Sequence, residues 1–260
     1  MGNVSAILVI AHRDLVKLLR DRLRIVADFS LPLLLVLLLG PALQAGFGSP
    51  GGLDLQAFVF TGVLAQTVWQ SAALGVISLI ADREEDFSQE IFVSPVSRYA
   101  IVIGKIIGES LVALPQAIAL LVVGALIGIP LTPGLVLVLL PTVLVVAVFG
   151  ASFGVLVLSN LKSQRTANQI FPFLMLPQFF LAGVFNPIDH LPWYLDIPAR
   201  LAPMRYAVEL ARNAFYSAAP GVGAAPALAS GAFNLAVVGG LFAVFFVVGT
   251  TLFVRSERNR

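Results

Sequence analysis

The chain has 260 residues, of which 58% are hydrophobic and 12% charged, with a mean hydropathy of +0.95. Soluble domains carry about 25% charged residues, so most of this chain suits lipid rather than water. Cysteine is absent, which excludes disulfides, thiolate catalysis and cysteine-held metals, and the net charge of +2 matters less than where the charges fall.

Residues 4–24 come first. Val4, Ile7, Leu8, Ala11, Leu15, Leu18 and Leu19 form a helical apolar stripe, and Arg13, Lys17, Arg20 and Arg24 a basic one. This pattern predicts a helix lying in the headgroup layer, cations toward anionic lipid; a solvated helix packed on a partner fits the same spacing. A charged segment therefore precedes the first long apolar run and no A-x-A site follows it, so no cleavable signal peptide is expected.

Six apolar runs follow, at roughly 31–44 (extended inward by 25–29), 57–81, 99–128, 134–159, 167–185 and 231–254. A helix needs about 20 residues to cross a ~30 Å hydrocarbon core, so six transmembrane helices are expected, the first the shortest. Pro32 and Pro41 fall near the ends of the first run, where lost backbone hydrogen bonds cost least, and Pro172 and Pro177 should break or kink the fifth. None of the runs alternates apolar and polar residues, which excludes β spans. Gly104/Gly108, Gly124/Gly128 and Gly150/Gly154 allow close helix approach, by packing within the bundle or at a dimer seam.

Thirteen of the sixteen Lys and Arg residues fall in the N-terminal segment, the second-to-third and fourth-to-fifth connections and the tail. The positive-inside rule then places both termini in the cytoplasm. The cytoplasmic connection at 82–98 is the most charged internal stretch, with Asp82, Arg83, Glu84, Glu85, Asp86 and Glu90. Phe87, Ile91 and Phe92 give it one greasy helical face, and Pro95 ends that helix. A charged loop with a small amphipathic helix between two spans is a docking device.

The outer connection at 186–217 should hold a broken pair of short helices. Leu201, Met204, Val208, Ala211 and Phe215 mark one face of the second, with Arg205, Glu209 and Arg212 on the neighbouring face, spaced to pair. Residues 218–229 read as a flexible link.

Several chemistries are missing. No GxxxxGK[ST] is present, so the chain has no P-loop of its own; no HExxH is present, and His12 and His190 stand far apart. Asp189–His190 has no GxSxG serine to serve. Glu109 is the one acidic residue well inside a span, four residues from Lys105, and reads as its partner rather than as a transport group. Gln66 and Gln70 share a face with Trp69 beside them, and Gln178 lies among Phe171, Phe173, Phe179 and Phe180. This weakly polar, aromatic wall suits an amphipathic substrate, or equally plain interhelical bonding.

Two stretches resemble the membrane subunits of ABC-2-type exporters, particularly the daunorubicin/doxorubicin-resistance-like permeases. One is FSQEIFVSPVSRYAIVIGK at 87–105: an acidic helix, a Ser-Pro-x-Ser-Arg turn and a Gly-Lys opening the third span. The other is LAGVFNPIDHLPWYLDIPARLAPMRYAVELAR at 181–212, similar to the family's Gly-x-x-Phe-x-Pro, Leu-Pro-Trp and Asn-Pro-x-x-Tyr pattern, with Asn186 where an aromatic is common and Ala202-Pro203 in place of Asn-Pro.

The resemblance implies an all-α membrane protein with the ABC-2 (type V exporter) fold. Residues 1–260 would form one transmembrane domain: an interfacial helix (1–24), a cytoplasmic coupling loop (82–98) and external re-entrant helices (186–217). It also implies a permease in a bacterial plasma membrane, not itself an enzyme, that exports an amphipathic drug, lipid or glycolipid. ATP and Mg would be held by a separate ABC ATPase in two copies, beside a second, identical or paralogous permease chain and membrane lipids, with no nucleic acid. Glu84, Glu85, Phe87, Glu90, Ile91, Phe92 and Arg98 would then couple to the ATPase, and Arg13, Lys17 and Arg20 would flank it. Gln66, Trp69, Gln70, Phe171, Gln178 and Phe179 would line the substrate path. The alternative is an ion-gradient-driven secondary transporter or channel without an ATPase.

Overall fold

The structure, a computed structural model, describes residues 3–49, 52–84, 97–161, 163–189, 191–219, 222 and 228–258. Among these, every regular element is helical.

α1 (Asn3–Arg20) ends one turn earlier than the basic stripe suggested. Asp21 interrupts the helix there and caps the next one, its side chain accepting from the Arg24 amide, so Arg22 and Arg24 belong to the first span. That span, α2, runs Arg22–Phe47. Pro32 lies inside it rather than at its end, and a π turn at Leu35–Leu39 follows. The missing proline amide and the widened turn are two local departures from α geometry in one helix.

α3 (Leu55–Gly75) is capped by Asp54, whose carboxylate accepts from the Ala57 amide. It is apolar on nearly every side, as a helix enclosed by others must be, and almost all of it is buried. A short turn leads to α4 (Ser78–Glu84). α5 (Arg98–Leu126) and α6 (Pro133–Leu158) pack on α3, and α10 (Gly231–Arg258) packs outside α6. The small residues four apart act inside this bundle: a Cβ on Gly150 would sit 2.2 Å from the Trp69 carbonyl oxygen, and one on Gly154 2.4 Å from that of Ala73. Between α6 and α10, Phe149 stacks on Phe245 at 5.7 Å.

α7 (Gln164–Leu181) is a single helix despite Pro172 and Pro177. Its first two turns carry Gln164, Arg165, Thr166, Asn168 and Gln169. Among the described residues five helices are long and apolar enough to cross a membrane: Arg22–Phe47, Leu55–Asp82, Arg98–Leu126, Pro133–Leu158 and Gly231–Arg255. α7, which occupies the expected fifth run, is not one of them.

The outer connection does form two helices, α8 (Trp193–Leu201) and α9 (Pro203–Ala218). Met204, Val208, Ala211 and Phe215 are buried as the stripe required, but Leu201 is 77% exposed because it closes α8 instead of opening α9.

Candidate functional site: a buried charge chain and a polar cavity

α1 lies against α5 in a seat made by two glycines. A Cβ on Gly104 would come 3.2 Å from Ile7 Cα, and one on Gly108 3.1 Å from Ala11 Cα. The face of α1 that enters this seat is Ala11, Asp14 and Leu18, all buried. An aspartate on that face needs a cation, and Lys105 supplies it: Lys105 Nζ donates to Asp14 Oδ2 at 2.8 Å and lies 2.6 Å from Glu109 Oε1. The Lys105–Glu109 pair is the one their four-residue spacing implied.

From Asp14 the chain continues outward. Arg13 Nη2 lies 3.1 Å from Asp14 Oδ1 and also bonds Asp82 Oδ2, and Lys17 Nζ reaches Asp82 Oδ1 at 3.3 Å. Cations and anions thus alternate from Lys17 through Asp82, Arg13, Asp14 and Lys105 to Glu109, joining α1, α4 and α5. Lys105, Asp14 and Glu109 expose at most 5% of their surface, so their pairing is desolvated and geometrically demanding. At the other stem of the 83–96 segment, the Ser97 amide donates to Asn3 Oδ1 at 3.3 Å. Both stems of that segment are therefore held by α1.

Of the residues expected to couple to an ATPase, Glu85, Phe87, Glu90, Ile91 and Phe92 lie outside the described residues. Glu84 closes α4 and Arg98 opens α5. Of the α1 cations expected to face outward, Arg13 and Lys17 turn to Asp82, while Arg20 is exposed.

The inner end of the chain meets a cavity. Glu109 Oε1 also accepts from Ser78 Oγ at 3.2 Å, whereas Glu109 Oε2 is buried without a partner. It lies under Gly75, where a Cβ would come 1.9 Å away, and Gly75 is part of the wall of a cavity of about 240 Å³ between α2 and α3. Leu31, Pro32, Leu35 and Leu74 give this cavity an apolar side; Gln66, Thr67, Gln70, Ser71 and Gln116 give it a polar one. Arg24 and Asp28, paired at 3.3 Å, stand at its rim. Gln66 Nε2 donates to Gln70 Oε1 at 2.8 Å, leaving Gln66 Oε1 buried with no partner, as is Thr67 Oγ1.

The expected substrate-path residues therefore separate. Gln66 and Gln70 line the cavity. Trp69 points away into the core, its ring 4.9 Å from that of Phe153, and Phe171 is fully buried. Phe179 packs on the same core. Gln178 is a staple: Oε1 accepts from the Met204 amide at 3.2 Å and Nε2 donates to Leu174 O at 3.1 Å, tying α7 to α9.

On the opposite end, Arg205 pairs with Glu209 at 3.1 Å, and Asn234 of α10 donates to Glu209 Oε2 at 3.2 Å. Arg212 departs from the spacing-based expectation. It donates to Gly183 O at 2.6 Å and lies 3.7 Å over the Phe58 ring, so it binds the turn after α7 to α3. Gly62 makes that approach possible, since a Cβ there would meet Val184 O at 2.3 Å.

Sequence reasoning missed Asp14, Ser78, Thr67, Ser71 and Gln116. Asp14 carried a usable signal: it follows Ile7 and Ala11 at i+7 and i+3 and precedes Leu18 by four, an acid on an apolar helical face.

Comparison with known proteins gives the same picture. Residues 5–216 match the family model described as ABC-2 type transporter. A Cyanophora paradoxa protein named as a transport permease, ycf38, is 26% identical over 211 residues, covering 79% of this chain and 72% of its own length. An Escherichia coli K12 protein named as a multidrug ABC transporter permease, YbhR, is 26% identical over 166 residues, 63% of this chain and 45% of its own length. With five spans of sufficient length and a family match over most of its residues, this multi-pass membrane chain belongs to the ABC-2 type transporter family, as a permease subunit.

Proposed function

We propose that the chain is the membrane-spanning half of an ATP-driven exporter in a bacterial plasma membrane, moving an amphipathic drug, lipid or glycolipid outward, with ATP and Mg held on a separate ABC ATPase. The two ATPase copies would be joined by a second permease chain, and α7 would complete a sixth crossing with both termini in the cytoplasm. The supporting observation is the double attachment of the 83–96 segment to α1, by Asp82 to Arg13 and Lys17 and by Ser97 to Asn3. A segment with that composition, held at both stems, can pass a push received from a soluble partner straight into α1, and through Asp14 and Lys105 into α5. A gradient-driven carrier is less well supported, because the charge of the carboxylate inside α5 is already neutralised by Lys105, with Ser78 on the same oxygen.

The test is co-purification with a candidate ABC ATPase co-expressed with the chain, followed by Phe87→Asp/Ile91→Asp. The double variant should keep its melting temperature in detergent and lose substrate-stimulated ATP hydrolysis and export together. Export unchanged in that variant, or export driven by an ion gradient with no ATPase present, would refute the proposal.

A further inference from the structure

We infer that the corner where α1 turns into α2 binds the phosphate head of an anionic phospholipid, with Arg20 and Arg22 as the groups that hold it. The basic stripe of the first helix divides in the structure. Arg13 and Lys17 turn to Asp82, and Arg24 pairs with Asp28. Arg20 and Arg22 are exposed and meet no carboxylate among the described residues. On an unbroken helix, residues two apart point about 200° away from each other. The non-helical turn at Asp21 (φ −93°, ψ 83°) brings both arginines instead to the wall of one open cleft, with Lys17, Asp21 and Leu23. No helical stripe drawn through the sequence pairs these two residues.

Charge, shape and depth choose the occupant. The cleft holds three cations against one carboxylate, and Asp21 Oδ1 already accepts from the Arg24 amide, so an anion is favoured. Two guanidinium forks match the oxygens of a phosphate in pairs, which a point charge does not. The span Arg22–Phe47 has 26 residues, about 39 Å at 1.5 Å per residue against a ~30 Å hydrocarbon core. Its charged first turn therefore stands in the headgroup layer. Leu23, 84% exposed, forms an apolar wall of the cleft, and Leu19 is exposed next to Arg20. Acyl chains cover both leucines while the arginines keep the phosphate, a match that free phosphate from solution does not make. The seat of α1 on Gly104 and Gly108 of α5 holds the corner in place.

The lipid site stands apart from the exporter reading, because it is measured on the permease alone. The full chain in dodecyl maltoside is titrated with dioleoyl phosphatidylglycerol or dioleoyl phosphatidylcholine, and bound lipid is counted by native mass spectrometry. Phosphatidylglycerol should bind saturably, and phosphatidylcholine about tenfold more weakly. Arg20→Gln and Arg22→Gln should each weaken phosphatidylglycerol binding about fivefold, the usual worth of one cation at a membrane surface, with melting temperature unchanged. Asp21→Asn, which keeps a capping side chain and removes the opposing charge, should tighten it. Arg165→Gln, which removes an exposed cation from α7, should leave it as it was. Equal binding of the two lipids, undiminished binding in both arginine variants, or equal weakening by Arg165→Gln overturns the assignment. So does displacement of the lipid by inorganic phosphate, which would make the cleft a site for the free ion. Lost co-purification of an ATPase in the arginine variants, with lipid binding intact, overturns it in favour of a protein partner.

Discussion

Lys105 is 1% exposed and serves two carboxylates, Asp14 Oδ2 at 2.8 Å and Glu109 Oε1 at 2.6 Å. Removing one partner from a buried ion cluster leaves charge without compensation, whereas replacing the whole cluster by apolar groups is often neutral. Lys105→Met alone should therefore destabilise the chain by about 3–5 kcal/mol, read as a lowered melting temperature in detergent. The triple replacement Asp14→Leu/Lys105→Met/Glu109→Gln should recover most of that loss while Arg13 keeps Asp82. If the triple variant melts no higher than the single one, the cluster is not the coupled unit described. Arg212 makes a second, independent case. Its guanidinium donates to Gly183 O and covers the Phe58 ring at 3.7 Å, a use of a planar cation that lysine does not reproduce. Arg212→Lys should cost about 2 kcal/mol, the scale of a desolvated cation–π contact, and an unchanged melting temperature would refute that role.

At the scale of elements, the apolar runs were legible because a span must be long and bare of charge, and α3, α5, α6 and α10 match their runs within a few residues. The caps were not weighed, and this moved the α1–α2 boundary: Asp21 accepts from the Arg24 amide and starts a new helix there. Helix α7 shows a different limit. Two prolines suggested a break or a kink, and no break occurs: the helix runs through both, with Gln178 bonded to Leu174 and Met204. The candidate site was only half legible. Gln66 and Gln70 could be placed on one face from their spacing, and Thr67 and Ser71, four apart on the same helix, carried the same signal unread, but Gln116 joins them only through the packing of α5 on α3, which no single helical pattern contains. Likewise Trp69, one residue from Gln70, faces Phe153, because neighbours in a helix point about 100° apart.

For the whole molecule, the number of crossings decides on which sides the ends lie. An even number puts Arg20 and Arg255 on the same side, with Ser217 opposite; five would separate the two ends. Because the sequence contains no cysteine, single Arg20→Cys, Ser217→Cys and Arg255→Cys variants report this without background. A membrane-impermeant maleimide added to intact cells should label only the 217 position, and labelling at 255 would exclude six crossings. The seating of α1 also has a temporal side. Asp14 leaves the ribosome 91 residues before its counter-ion Lys105, an interval of roughly 5–18 s at bacterial or eukaryotic synthesis speeds. Throughout that wait the first helix carries a carboxylate with nowhere to be buried, so it must stay at the bilayer surface, and the third span's arrival is the event that finally draws it in. Nascent chains arrested short of Lys105 should accordingly leave this helix open to protease, making insertion of that span the checkpoint in the protein's biogenesis.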